Sequence, residues 1–192
     1  MTYLIHSHAK LLMETNMNRR SIFTLTAMAL LGLAVILPSG DAAAQQKQRV
    51  SFKVSAENAK YPQVHYIDVG DVPGHQVGVS ELHRVFPSNA PEINGVKVKE
   101  SWTRTLADFT DYNGVSNNYT MYVLENGDKF FVRGSTMGHN NGGKRSNTST
   151  GTITSGTGKL VGIRGITRST GTADPKGGFN ETQAEIEYWF EK

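Results

Sequence analysis

The sequence predicts an all-β protein, a single antiparallel β-barrel of about eight strands that follows a cleaved amino-terminal segment. Apolar and polar residues alternate along several segments after Ala44, which is typical of half-buried strands. No helical periodicity of a dozen residues occurs in that region, and clusters of Gly, Asn and Ser separate the segments. Closure into a barrel is favoured because it removes the exposed edges of an open sheet.

Residues 17–44 have the order of a secretory signal peptide. Arg19 and Arg20 form a basic region, residues 22–37 are mostly apolar, and Ala44 ends a run of small residues suited to cleavage. A membrane anchor is the alternative, but a span needs about 20 apolar residues. We therefore expect translation from Met17, cleavage after Ala44, and export to the periplasm or the medium, with a twin-arginine route as a variant. Residues 1–44 would be the extension and signal, and residues 45–192 the barrel domain.

Composition excludes several classes of protein. The chain contains 20 Lys+Arg, 17 Asp+Glu and no cysteine. Without cysteine there is no disulfide framework, thiolate metal site or cysteine nucleophile. A net charge of +3 without a basic run gives no reason to expect nucleic acid as a partner. No membrane contact is expected once the signal has been removed.

Strict alternation is clearest in 76–86 and 96–106. Asn126-Gly127 separates 119–125 from 128–134, and this dipeptide favours a two-residue hairpin loop because both residues tolerate a positive φ. These segments supply four strands. Five further strands are expected at Val50–Ser55, Val64–Val69, Thr148–Ser155, Leu160–Arg168 and Thr182–Phe190.

Residues 155–165 read SGTGKLVGIRG, and this segment resembles the Gly-rich strand of the allene oxide cyclase and dirigent barrel proteins. The matching residues are Gly156, Thr157, Gly158, Leu160, Gly162, Ile163, Arg164 and Gly165. The resemblance implies a calycin-like, eight-stranded barrel with a small-molecule cavity, commonly trimeric. It also implies cyclisation or radical coupling of hydrophobic substrates, and it supplies no catalytic residue.

Polar residues interrupt two apolar strand faces. Glu81 and His83 share their face with valines, and Glu100 and Arg104 share theirs with Trp102. If these faces point inward, Glu81, His83 and Glu100 are candidate catalytic groups for proton transfer in a cavity. In the alternative arrangement the faces turn outward, and Glu100 and Arg104 form a solvated cross-strand pair.

The candidate ligand-binding residues are aromatic or basic. Aromatic rings would lie against the body of a small apolar or aromatic molecule and a guanidinium would bind its polar end, although such rings more often fill a core. These candidates are Trp102, Arg104, Tyr119, Tyr122, Arg164 and Tyr188.

Other chemistries lack a motif. The histidines after Ala44 have no metal-ligand spacing, no G-x-S-x-G elbow occurs, and no helix follows Gly156-Thr157-Gly158-Lys159 to hold a phosphate. We therefore expect no metal and no cofactor. Three functions stay open: a cofactor-free isomerase or cyclase, a non-catalytic carrier of a small molecule, and a structural barrel with a packed interior.

Overall fold

The computed structural model describes residues 46–191, which fold almost entirely as β-strands. The predicted signal peptide and its cleavage point lie outside the described residues. The strands are β1 (Gln48–Val54), β2 (Ala59–Asp68), β3 (His75–Val85), β4 (Glu92–Ile93), β5 (Val96–Thr110), β6 (Asn113–Leu124), β7 (Lys129–Asn141), β8 (Lys144–Gly156), β9 (Ile163–Asp174) and β10 (Phe179–Phe190). The described helical segments are two short 3₁₀ turns, Ala56–Asn58 and Gly158–Leu160.

All ten strands belong to antiparallel pairings, which confirms the predicted all-β antiparallel class. The order across the sheet is β1-β10-β9-β8-β7-β6-β5-β3-β2, and β4 pairs with β5. The predicted closed barrel of about eight strands is wrong. The sheet has ten strands, and within residues 46–191 no backbone ladder joins β2 to β1 or β10.

The two edge strands follow one another along the chain. β1 pairs with Thr182–Tyr188 of β10, the 3₁₀ turn Ala56–Asn58 intervenes, and β2 then pairs with β3. Side chains join the two ends of the sheet, since Asn180 Nδ2 donates to the Tyr61 hydroxyl at 3.0 Å. The sheet therefore curls far enough to enclose a concave face without completing its ladder.

The loop between β6 and β7 differs from the predicted two-residue turn. Leu124 N donates to Asp128 O at 2.9 Å, and Gly127 N donates to Leu124 O at 2.9 Å, so three residues form the loop. Only Gly127 has a positive φ, and the Asn126 amide instead donates to the Asp128 carboxylate at 2.8 Å. A two-residue loop with both φ positive occurs at Gly142-Gly143.

The segment that carries the family resemblance spans the end of β8, a connection and the start of β9 rather than one strand. Gly158–Leu160 form a 3₁₀ turn, Gly162 has a φ of +84°, and β9 begins at Ile163. The predicted strand Leu160–Arg168 therefore starts three residues too early. Glycine is suited to the left-handed conformation that turns the chain into β9.

Apolar side chains fill one end of the concave face. Phe130, Ile153, Ile163 and Ile186 have no exposed surface, and Tyr188 is 1% exposed. The rest of this cluster consists of Phe52, Val54, Phe86, Ile93, Val98, Leu124, Val132 and Leu160. Burial of these side chains supplies the main driving force for folding. We call this region the packed end.

Candidate functional site

A cavity of about 150 Å³ lies on the concave face beyond the packed end. Its lining follows the strand period: Ser80, Leu82 and Arg84 line it from β3, and Thr103 and Thr105 line it from β5. Side chains alternate across a strand, so the residues between these belong to the opposite face. We call that opposite side the outer face, and the region around the cavity the polar end.

A row of hydroxyl and amide groups crosses four strands of the cavity wall. Thr105 Oγ1 donates to Asn118 Oδ1 at 3.0 Å, and Asn118 Nδ2 donates to Thr136 Oγ1 at 2.7 Å. The Thr136 hydroxyl in turn shares a 2.7 Å hydrogen bond with Ser149. These groups satisfy one another across β5 to β8, which offsets the cost of burying them.

Arg84 joins the cavity to the open edge of the sheet. Its Nε and Nη2 atoms donate to Asn180 Oδ1 at 3.3 and 2.9 Å, and Nη2 also reaches Thr182 Oγ1 at 3.2 Å. Asn180 is 4% exposed and holds the Tyr61 hydroxyl with its amide nitrogen. All the hydrogen-bond acceptors that Arg84 uses are therefore neutral.

Arg145 enters from β8. The residue is 6% exposed, its Nη2 donates to Gly114 O at 3.1 Å, and its guanidinium lies 5.4 Å from the Phe109 ring centroid. Gly138 makes room for it, because a Cβ at that position would overlap the guanidinium. In the sheet register Arg145 is opposite Ala173 of β9, and Ala173 is opposite Asn180 of β10. Arg145 therefore lies in the same cross-strand row as the residue that binds Arg84.

The phenols of the cavity keep their protons, so neither is available as a base. Burial raises the pKa of Tyr61, and Arg84 and Arg145 pull it down only in part. Burial likewise raises the pKa of Tyr122, which stacks on Phe130 at 4.5 Å. Burial also lowers the pKa of both guanidiniums, because it disfavours the charged form. An arginine still keeps its proton at physiological pH.

The three predicted catalytic residues lie on the outer face. His83 Nε2 is 2.8 Å from Glu100 Oε2, and Glu81 Oε2 is 2.8 Å from Arg104 Nη2. The His83 ring stacks on Trp102 at 3.9 Å with an interplanar angle of 13°. None of these five residues lines the cavity. The alternative of an outward face describes their placement, although Glu100 pairs with His83 rather than with Arg104.

A β-bulge in β5 turns Glu100, Trp102 and Arg104 outward. Val98 pairs with Leu124, but Glu100 pairs with Val123, so Lys99 is an extra residue on β5. Val98 is therefore buried in the core, whereas Glu100 and the residues that alternate with it are turned outward. The alternation from 96 to 106 predicts that every second side chain lies on one face of β5. The bulge instead places those before Lys99 on the inner face and those after it on the outer face.

The remaining predicted ligand residues are dispersed. Tyr122 lines the cavity, whereas Tyr119 is 46% exposed on the outer face beneath Arg133. Arg164 pairs with Glu191 at 2.9 Å outside the cavity. Tyr188 lies in the packed end, where its hydroxyl donates to Gln48 Oε1 at 2.6 Å and accepts from Asn94 N.

Sequence reasoning missed Arg84, Arg145 and Asn180. Arg84 alternates with His83 along β3, so an inward face for His83 would turn Arg84 towards solvent. Arg145 and Asn180 end glycine-rich stretches, which are typical of turns, yet β8 already begins at Lys144 and β10 at Phe179. The useful signal was the polar alternation Arg145, Asn147, Ser149 on β8.

The part of the chain that the structure describes holds neither a cluster of metal-ligating side chains nor a membrane-spanning helix. Residues 46–191 bring no three His, Asp or Glu side chains together as a metal site. The same residues include no helix with the length and hydropathy needed to cross a bilayer.

Comparisons with known proteins identify no family. No protein-family model and no curated protein matches the chain. Among solved structures, a pyocyanin demethylase is similar at 18% identity with a TM-score of 0.40, over 72% of this chain and 99% of that one. At that TM-score the likeness carries no argument about this chain.

Proposed function

We propose that this protein binds a small molecule non-catalytically in the cavity at its polar end. The polar lining supports this proposal most directly. A sheet that only needs a packed interior buries apolar side chains, as the packed end does. The polar end instead surrounds a space of about 150 Å³ with hydroxyl, amide and guanidinium groups. Concave sites with a few convergent polar groups are the usual form of a ligand site.

The lining favours binding over proton-transfer catalysis. It includes no histidine or aspartate, and its one carboxylate residue, Glu185, lies 3.7 Å from both Arg49 and Arg168. An isomerase or cyclase would need a group that accepts a proton from a bound substrate. The isomerase prediction stays untested, and it would require Glu81, His83 or Glu100 to act from the outer face.

Native mass spectrometry of the purified full chain, combined with a thermal-shift screen of small molecules, tests the proposal. The diagnostic variant is Ser80→Leu. Ser80 is 7% exposed, lines the cavity, and has no side-chain hydrogen bond in the described part of the chain, so leucine fills space without breaking a bond. Val79→Leu on the same strand is the matched control, since Val79 is 48% exposed on the outer face.

We expect Ser80→Leu to abolish the adduct or the thermal shift, and Val79→Leu to leave both unchanged. Glu81→Gln and His83→Ala should also leave affinity within about twofold, because neither side chain reaches the cavity. A ligand whose binding is insensitive to Ser80→Leu would refute the proposal. Loss of affinity in the Glu81 or His83 variants would instead move the site to the outer face.

A further inference from the structure

The charged groups of the cavity do not balance. Arg84 and Arg145 line it, and within residues 46–191 neither forms an ion pair with a carboxylate. The only other charged residues of the lining, Arg168 and Glu185, lie 3.7 Å apart and compensate each other. The lining therefore carries two uncompensated positive charges.

Three arginines outside the cavity are each paired with a carboxylate. Arg49 contacts Glu187 at 2.8 Å, Arg104 contacts Glu81 at 2.8 Å, and Arg164 contacts Glu191 at 2.9 Å. These pairs lie outside the cavity, where water would already screen the charge. A guanidinium is harder to leave unpaired where it is buried, so the missing counterion is costly at both Arg84 and Arg145.

Unused hydrogen-bonding capacity accompanies these charges. Arg145 Nε is buried without a partner, and Ser101, which is opposite Arg84 on β5, has a buried hydroxyl without a partner. Asn147 Oδ1, two residues along β8 from Arg145, is a third such atom. Arg145 Nε is a donor of one uncompensated guanidinium, the Ser101 hydroxyl can donate next to the other, and the Asn147 oxygen would accept from a water or a ligand hydroxyl.

The other side of the cavity is apolar. Phe52, Leu82, Phe86 and Val132 line it where the polar end meets the packed end. The whole cavity, of about 150 Å³, accommodates a molecule with roughly one six-membered ring. The polar and apolar sides together match a molecule with a charged head and a compact body.

From these contacts we infer that the ligand is a small organic carboxylate, with its carboxylate held by Arg84 and Arg145 and a body of about one ring against the apolar side. This inference rests on the proposed function, because it specifies the ligand of the same cavity. A carboxylate accepts parallel hydrogen bonds from a guanidinium and supplies the missing negative charge.

Isothermal titration of the full chain with benzoate and with benzamide tests the charge requirement. The two probes have the same ring and nearly the same shape, but only benzoate is an anion. We expect benzoate to bind at least about tenfold more tightly than benzamide, and added NaCl to reduce the difference. Inorganic phosphate, an anion without a ring, should bind more weakly than benzoate.

Arginine variants test whether Arg84 and Arg145 are the groups that bind the carboxylate. Arg145→Gln and Arg84→Gln should each weaken benzoate binding about tenfold or more and leave benzamide unchanged. Arg133→Gln is the matched control, because Arg133 lies over the exposed Tyr119 ring on the outer face. If a glutamine variant does not fold, Arg145→Lys preserves the charge and should retain affinity between that of the wild type and of Arg145→Gln.

Equal affinity for both probes, no binding of either, or tighter binding of phosphate would each overturn the inference. These failures are distinguishable from failure of the proposed function. If Ser80→Leu blocks a neutral ligand while the arginine variants do not, the cavity still binds small molecules but selects no anion. If Ser80→Leu blocks nothing that binds, the proposed function itself fails.

Discussion

At one end of the concave face Phe130, Ile153 and Ile186 are fully buried in one apolar cluster, whereas at the other end Thr103, Thr120 and other polar side chains take the inward positions. Both ends belong to the same strands and share the same pleat. The packed end gains free energy from apolar burial, but the polar end gains little because its groups exchange water for one another. This difference is the observation that supports the proposed ligand site at the polar end.

The largest effect should come from the packed end. Phe130→Ala removes a ring that is fully buried and stacked on Tyr122, so we expect a loss of about 3–5 kcal/mol in the free energy of unfolding. The matched change at the polar end is the double variant Thr103→Val and Thr120→Val, whose hydroxyls share a 2.9 Å bond. Replacing both partners by groups of the same shape should change stability by about 1 kcal/mol or less.

Urea unfolding of both variants measures their losses in the free energy of unfolding. An unchanged m-value would show that each variant exposes the same surface on unfolding as the wild type. A loss above about 2 kcal/mol in the double threonine variant would contradict the comparison. The Thr103–Thr120 hydroxyl pair would then be a structural element of the fold. The packed-interior alternative would gain support from that result.

A smaller loss of stability is expected from the side-chain contacts that connect β2 with β10, because no backbone ladder joins these two strands in the described residues. Asn180→Leu removes the acceptor of Arg84 and the donor to Tyr61, and it leaves both groups without that partner. We expect a loss of about 2–3 kcal/mol, together with faster amide exchange in β2. Asn117→Leu is the control, because Asn117 makes one exposed contact of 3.5 Å, with Ser135.

If Asn180→Leu and Asn117→Leu have the same small effect, the polar bridge does not hold the sheet in its curled form. If β2 keeps its protection from exchange while stability falls, the loss arises inside the cavity instead. Either result would separate the role of Asn180 in closing the sheet from its role in positioning Arg84.

Sequence alternation predicted most of the strands but left open which face of β3 and β5 points inward. Val77 and Val79 are apolar yet lie on the outer face, whereas Ser80 and Thr103 are polar yet lie inside. An apolar-inward rule fails at a polar cavity because the inward groups there satisfy one another instead of packing. The bulge at Lys99 could not be located either, since nothing in the residue types around it demands an extra residue.

The smallest effect should be a pH dependence set by His75, whose contacts with two aspartates hold the β2–β3 loop. His75 Nδ1 is 2.6 Å from Asp71 Oδ1, and its Nε2 is 3.0 Å from Asp108 Oδ1. The hydrogen bond to Asp71, followed by the one to Asp108, raises the pKa of His75 above its ordinary value. The protonated ring therefore stabilises the fold, fully below the unfolded pKa of about 6.5, and this contribution is lost as pH rises through the folded pKa.

Urea unfolding between pH 5 and pH 9, compared with NMR titration of the His75 ring, measures this dependence. His75→Gln should remove the decline in stability across the neutral range, and His65→Gln should preserve it, because His65 has no ion pair among the residues described here. An unchanged slope in His75→Gln, or a ring that titrates below its ordinary value, would contradict the assignment. Phe130→Ala should lower stability by the same amount at every pH, since the packed end holds no titrating contact of this kind.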